Sequence, residues 1–161
     1  LTQVGNRRAL EEAARIELNR IDRSGQYLVV ELLDLDNFKQ VNDLHGHSVG
    51  DDVLCKMAKV LKQNLRSIDF VARWGGEEFC LLLPSTSRSV ALQTAERLRI
   101  QLAAQIFSVE EKTFSISASF GLTSSTYKRP LEELIHEADQ ALYKAKGSGR
   151  NKVAQYWELD T

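Results

Sequence analysis

The chain has 161 residues, enough for one domain with a substantial core. Apolar residues make up 43% and charged residues 27%, the composition of an ordinary globular domain. With 21 basic against 22 acidic residues the formal net charge is -1, which excludes a bulk electrostatic drive towards nucleic acid or anionic membrane and leaves room for a small anionic ligand held by a few cations.

Asn6 predicts the cap of a helix running to about Asp22, with Leu10, Ala14, Leu18 and Ile21 on one face. Tyr27 to Leu33 is a nearly continuous apolar run that stops at Asp34, the pattern of a buried strand. Helical spacing returns at Leu54, Met57, Ala58, Leu61 and Leu65. Phe70 to Trp74 and Phe79 to Leu83 are strand-like runs flanking Gly75-Gly76, a hairpin signal, and Pro84 closes the second. The next helix sets Ala91, Ala95, Leu98 and Leu102 on its inner face. Phe114, Ile116, Ala118, Phe120 and Leu122 alternate with Ser and Gly and read as one half-buried strand. Pro130 precedes a last helix carrying Leu131, Leu134, Ile135, Ala138, Leu142 and Ala145. Gly147-Ser148-Gly149 ends it, and Val153 to Trp157 reads as a final strand. Helices and strands alternate without repeats, which makes one α/β domain.

Cys55 and Cys80 lie inside apolar-periodic segments and read as buried free thiols, suited to a reducing cytosol. No apolar run approaches the ~20 residues of a membrane span, and no signal peptide opens the chain. The first residue is Leu1 rather than Met, so we expect a piece of a longer protein, with any sensor or anchor outside it.

Three constellations carry chemistry. Asp34-Leu35-Asp36 stands where the buried strand runs out, at the rim where open α/β sheets bind ligands. Alternation aims Asp34 and Asp36 towards one side, where hard oxygen donors suit magnesium; the other reading is a polar strand exit, with Asp36 capping the next helix. Arg73-Trp74-Gly75-Gly76-Glu77-Glu78-Phe79 is a hairpin whose missing Cβ atoms let a phosphate chain approach backbone amides. Taken by itself a Gly-Gly hairpin is a plain turn, but Glu77 beside it completes a carboxylate pair with Asp34. The third is Arg66-Ser67-Ile68-Asp69, whose bland reading is a surface ion pair. His45-Gly46-His47 lacks matching Cys or His partners for zinc and reads as a structural turn, and His136 stands alone.

Gly75 to Phe79 resembles the signature of the GGDEF family of diguanylate cyclases, in its Gly-Gly-Glu-Glu-Phe form. Further landmarks match at family spacing: Leu1-Thr2 with Asn6-Arg7-Arg8, Asp34-x-Asp36-x-Phe38-Lys39-x-x-Asn42-Asp43, Gly46-His47-x-x-Gly50-Asp51, and Lys146-x-x-Gly149-Arg150-Asn151. The resemblance covers essentially the whole chain and implies a single catalytic domain over residues 1–161, with any sensor or dimerisation region upstream. The implied fold is a ferredoxin-like α+β palm of the nucleotidyl cyclase type, with a central, mainly antiparallel five-stranded sheet flanked by helices. Periodicity alone does not yield that strand order.

The implied activity is condensation of two GTP molecules into cyclic di-GMP with release of two pyrophosphates. Asp34 and Glu77, with the backbone of Leu35, are then expected to bind two Mg2+ per site, with Mn2+ as a substitute. Glu78 is expected to assist the 3′-hydroxyl, alongside Glu77 and Asp34 in the catalytic set. Asn42 and Asp51 correspond to the guanine readers. A carboxylate at Asp51 accepts from guanine N1–H and N2–H2, a donor pair adenine lacks; its other reading is the N-cap of the following helix. Lys39, Lys146 and Arg150, with Gly75 and Gly76, correspond to the triphosphate-binding set. Apart from the resemblance, Lys146 and Arg150 read as an ordinary basic helix C-terminus. Arg66 and Asp69 correspond to the primary inhibitory site for the product, and Arg97 to a secondary contributor.

The implied partners are GTP, cyclic di-GMP and a second copy in a homodimer of half-sites, with no nucleic acid and no membrane contact, in the cytoplasm. Two positions depart from the family pattern. Gln3 stands where Gly is usual and is expected to alter the loop before the first helix, near the phosphates. Glu31 interrupts an apolar strand and is expected to point away from the Asp34 side, surface-exposed or partnered. The rival functions are a domain that only senses cyclic di-GMP or GTP, and a purely structural dimerisation domain. Retention of Gly75 to Phe79, Asp34, Lys146 and Arg150 favours the enzyme.

Overall fold

The computed structural model describes residues 1–159; the last two positions of the expected 1–161 domain lie outside the described residues. Asn6 Oδ1 accepts the Ala9 N–H at 2.8 Å and caps α1 (Arg7–Ser24), as its sequence position predicts. Gly25, at φ 69°, ends that helix in the left-handed conformation. There follow β1 (Leu28–Leu35), α2 (Phe38–His45), α3 (His47–Gln63), β2 (Phe70–Gly75), β3 (Glu78–Pro84) and α4 (Arg88–Ala103). A small hairpin of β4 (Phe107–Val109) and β5 (Lys112–Phe114) precedes β6 (Ala118–Ser125), α5 (Leu131–Gly147), β7 (Val153–Gln155) and a 3-10 turn, Tyr156–Glu158.

The sheet runs β2-β3-β1-β6-β7. The first three pairings are antiparallel and β6–β7 is parallel, the α+β architecture that the family resemblance implies. Helices cover both faces. Leu10, Ala14, Leu18 and Ile21 of α1 join Leu134, Ala138 and Leu142 of α5 over Leu28, Val30 and Leu32. On the opposite face Leu54, Met57 and Leu61 of α3 and Ala91, Ala95 and Leu98 of α4 cover Val29, Leu33, Phe79 and Leu81. Double coverage is why all eight residues of β1 and all eight of β6 are buried.

That coverage corrects the half-buried strand expected from Phe114 to Leu122. Phe114 ends β5, paired and stacked with Phe107 at 5.4 Å, and β6 begins only at Ala118. The small residues alternating on β6 are there because α5 lies almost on the strand. A Cβ on Gly121 would stand 2.2 Å from the Ala138 oxygen and the Leu142 nitrogen. Other boundaries shift modestly. Leu65 follows the end of α3 and packs against the core from a loop, and Trp157 lies in the 3-10 turn rather than in a strand. Cys80 is buried, which pushes its thiol pKa up, whereas Cys55 is half-buried and donates to the Leu1 carbonyl at 3.2 Å.

Glu31 is neither surface-exposed nor partnered. Alternation does put it on the face opposite Asp34, with Val29 and Leu33, but α3 and α4 cover that face. It lies between Leu81 and Leu122 with 0% exposure, and among the described residues neither carboxyl oxygen has a hydrogen-bond partner. Burial, with the like charge of Asp69 second, raises its pKa to about 8, so the group is protonated at neutral pH.

Candidate active site

Asp34 is next to last in β1, opposite Glu78 on β3 and Ser119 on β6. Direct opposition puts Asp34 and Glu78 on one face of the sheet, the face that α5 covers. The close seat of α5 on Gly121 carries its last turn to the same strand end, where Lys146 Nζ lies 2.5 Å from Asp34 Oδ2. Desolvation raises the pKa of Asp34, Lys146 opposes that rise, and the charges of Glu77 and Asp36 add to it. Glu78 is also raised, first by burial and then by Asp34. Carboxylates that push one another up in this way form a site that a cation would relieve.

The hairpin turn falls on Gly76 and Glu77, one residue later than the expected Gly75-Gly76, because Gly75 pairs with Glu78 across a bulge at Trp74. Glu77 therefore belongs to the turn, and its carbonyl accepts the Leu35 N–H at 3.2 Å, tying the turn to the end of β1. Arg73 Nε closes the hairpin on the Gly76 carbonyl at 2.9 Å. Neither glycine has a positive φ. A Cβ at Gly76 would meet nothing within 4 Å, and one at Gly75 only Glu78 Oε2 at 3.8 Å, so what the glycines leave is open space over the backbone.

Asp36 does not cap α2. The N-cap is Asn37, at φ 56° with no side-chain cap bond, so no side chain caps the first turn of α2, which carries Lys39 and in which the Gln40 N–H bonds the Asn37 carbonyl at 3.0 Å. Asp36 instead accepts from Ser117 Oγ, Ser119 Oγ and the Asn151 N–H. Asp51 is likewise no N-cap: Gly46, at φ 88°, serves both helices, and Asp51 lies a full turn inside α3. Gly50, one residue before Asp51, packs closely on Asn42: a Cβ there would fall 1.9 Å from Asn42 Oδ1. Asp51 is exposed and Asn42 half-buried. Arg150 is exposed on the turn after α5, at φ 61°.

Arg66 and Asp69 lie apart from this cluster. Arg66 Nη2 reaches Asp69 Oδ1 at 2.8 Å, the Pro84 carbonyl at 2.9 Å and Thr86 Oγ1 at 2.6 Å. The Asp69 side chain is only 3% exposed, so this is more than a surface pair. Arg97 of α4 donates to the Asn64 carbonyl at 2.9 Å, next to that loop. Gln3 adopts φ 60°, the backbone a glycine would favour. It lines a recess of about 270 Å3 with Lys62, Arg66 and Asp69, and none of the residues expected to hold the triphosphate lines that recess. His45 stacks on Phe114 at 4.8 Å. A groove of about 930 Å3 between α1 and α5, lined by Arg7, Trp74 and Lys128 among others, holds none of the expected site residues.

Among the described residues no three His, Cys, Asp or Glu side chains gather as a metal cage. The oxygen donors of Asp34 and Glu77 fit a hard divalent cation that takes its remaining ligands from phosphate and water. The residues that sequence reasoning passed over are Ser117, Ser119, Thr86 and Arg99, which carry no local signal because their partners are distant in the chain. No helix among the described residues is long and apolar enough to cross a membrane.

Residues 1–152 match the family model described as diguanylate cyclase, GGDEF domain. The diguanylate cyclase DgcP of Pseudomonas aeruginosa is 44% identical over 153 residues, 95% of this chain and 23% of that protein. DosC of Escherichia coli is 37% identical over 98% of this chain and 34% of its own length. The chain thus spans about a quarter to a third of these curated relatives. Among solved structures, the GGDEF domain of DgcB from Caulobacter crescentus in complex with c-di-GMP superposes with TM-score 0.92 at 29% identity, covering 96% of this chain and 90% of that one. The active GGEEF domain of a diguanylate cyclase from Vibrio cholerae gives 0.89 at 36% identity, covering 96% and 98%.

Proposed function

The chain belongs to the GGDEF family, and from that premise we propose that it is a diguanylate cyclase domain that condenses two GTP molecules into cyclic di-GMP. Each 3′-hydroxyl attacks the α-phosphorus of the other GTP, two P–O bonds form, and two pyrophosphates leave. The single observation that carries the reading is the strand edge where Asp34, Glu77 and Glu78 meet Lys146 beside an open glycine turn.

In this reading the triphosphate lies along the uncapped first turn of α2 and the Gly75-Gly76 backbone, held by Lys39, Lys146 and Arg150. Asn42 and Asp51 read guanine. Two Mg2+ ions, with Mn2+ as a substitute, would be held by the carboxylates of Asp34 and Glu77 and by the backbone of Leu35, and they supply neutralisation of phosphoryl charge. Glu78, raised by burial and by Asp34, is suited to draw the proton from the attacking hydroxyl. Cyclic di-GMP acts back at Arg66, Asp69 and Arg97. The substrate is a cytoplasmic nucleotide, so the domain works in the cytoplasm.

One domain offers one guanine pocket and one carboxylate edge, so catalysis needs two copies facing antiparallel. The test is incubation with GTP and magnesium, followed by chromatography. Cyclic di-GMP and pyrophosphate in a 1:2 ratio support the enzyme. GTP or cyclic di-GMP binding without turnover identifies a sensor domain instead.

A further inference from the structure

Asp36 gathers donors from parts of the chain far apart in sequence. Ser117 Oγ donates to Oδ2 at 2.7 Å, Ser119 Oγ to Oδ1 at 2.6 Å, and the Asn151 backbone N–H to Oδ2 at 2.9 Å. The Asn151 N–H also donates to Ser119 Oγ at 3.2 Å, and Arg99 Nη1 of α4 reaches Asn151 Oδ1 at 2.9 Å. Asp36 is 5% exposed, so its carboxylate is occupied by these donors rather than turned to solvent.

The turn held in this way is unusual. Gly149, Arg150 and Asn151 follow one another at φ 116°, 61° and 48°. L-residues adopt such a left-handed run only where their surroundings impose it. Here two successive N–H groups pin it: the Arg150 N–H returns to the Ala145 carbonyl at 3.1 Å, and the Asn151 N–H goes to Asp36. Asp36 comes two residues after Asp34, and both make their contacts with the end of α5 and the turn that follows.

We propose that Asp36, together with Ser119, is a positioning residue that holds the 149–151 turn so that Arg150 faces the triphosphate, and so sets GTP affinity without taking part in the chemistry. This rests on the reading of the edge as a GTP site. Loss of the clamp releases Arg150 into the many conformations of an exposed turn, and its contribution to binding is lost with it.

The experiment compares Asp36→Ala, Arg150→Ala and the double variant. Each is titrated with 3′-deoxy-GTP and magnesium, a pair that binds but cannot cyclise, and assayed with GTP for KM and kcat. Asp36→Ala is expected to raise KM and the analogue Kd roughly tenfold with kcat within about threefold, and the double variant to be no weaker than Arg150→Ala alone. A merely structural role would lower kcat and leave the two losses additive. Unchanged analogue affinity in Asp36→Ala, or additive losses, overturns the proposal. Where Asp36→Ala fails to fold, Ser119→Ala removes one leg of the clamp and carries the same comparison. A wild-type domain that binds neither GTP nor its analogue sinks the GTP-site reading, and this proposal with it.

Discussion

The ammonium of Lys146 stands 2.5 Å from the Oδ2 of Asp34, with the carboxylate side chain only 11% exposed. Two groups expected to serve different parts of a nucleotide complex, one a metal and the other a phosphate, here neutralise each other. A buried carboxylate without a counter-charge would be costly, and the lysine supplies one until another cation takes its place. On that view loading the site exchanges partners, with Lys146 turning from Asp34 to phosphate.

Asp34→Asn and Glu77→Ala are expected to lower cyclic di-GMP production by roughly a thousandfold or more, the scale of several kcal/mol of lost charge stabilisation. Far-UV circular dichroism of both variants should match the wild type, because neither group belongs to the apolar clusters. Near-normal turnover by Glu77→Ala would remove the metal assignment.

Gly50→Ala tests how guanine is read. Its Cβ would fall 1.9 Å from Asn42 Oδ1, the movable end of a side chain, so Asn42 should swing away while the helices stay. KM for GTP is expected to rise roughly tenfold, with discrimination against ATP reduced, since a displaced hydrogen-bonding group no longer selects. If the variant keeps wild-type KM and selectivity, guanine is read elsewhere.

Arg66→Ala should relieve product inhibition and leave the initial rate near wild type. In the free domain Arg66 is occupied by Asp69, the Pro84 carbonyl and Thr86, so product binding must draw it off these partners. Progress curves with added cyclic di-GMP decide the matter. A wild-type domain insensitive to saturating product would contradict the inhibitory site.

Glu31 makes stability depend on pH. Its folded pKa of about 8 lies above the ordinary carboxylate value of 4.5, so the stability of its neutral form is fully present below about 4.5 and is lost as pH rises through about 8. Glu31→Leu should remove that slope and raise stability at pH 8 by several kcal/mol, the order set by ~1.4 kcal/mol per pKa unit. Urea melts at about pH 5.5 and 8.5 read the difference. Parallel pH profiles for the two proteins would mean that Glu31 is not buried uncharged.

Specific activity should rise with protein concentration, because two half-sites must meet. Fusion of a constitutive coiled-coil dimer to the N-terminus should raise the rate in dilute solution. Activity that stays flat across about a hundredfold dilution, from a species monomeric by light scattering, would refute the two-copy mechanism.

What could be read from the chain alone was local. The Asn6 cap, the inner face of α4 at Ala91, Ala95, Leu98 and Leu102, and the β2–β3 hairpin all follow from helical spacing, alternation and turn chemistry within a few residues. The motif around Gly75 to Phe79 named the family for the same reason, since its residues are contiguous. Tertiary structure decided everything that depends on distant partners. Lys146 meets Asp34 across 112 residues, and Asn151 meets Asp36 across 115. No periodicity encodes those encounters, which is why Asp36 read as either a magnesium-side carboxylate or a helix cap, while in the fold it accepts from Ser117, Ser119 and Asn151. Glu31 was misplaced on the same ground: alternation gives the face a side chain takes, whereas its burial follows from α3 and α4 closing over that face. Local sequence sets direction, and only the assembled layers decide whether that direction leads to water or to the core.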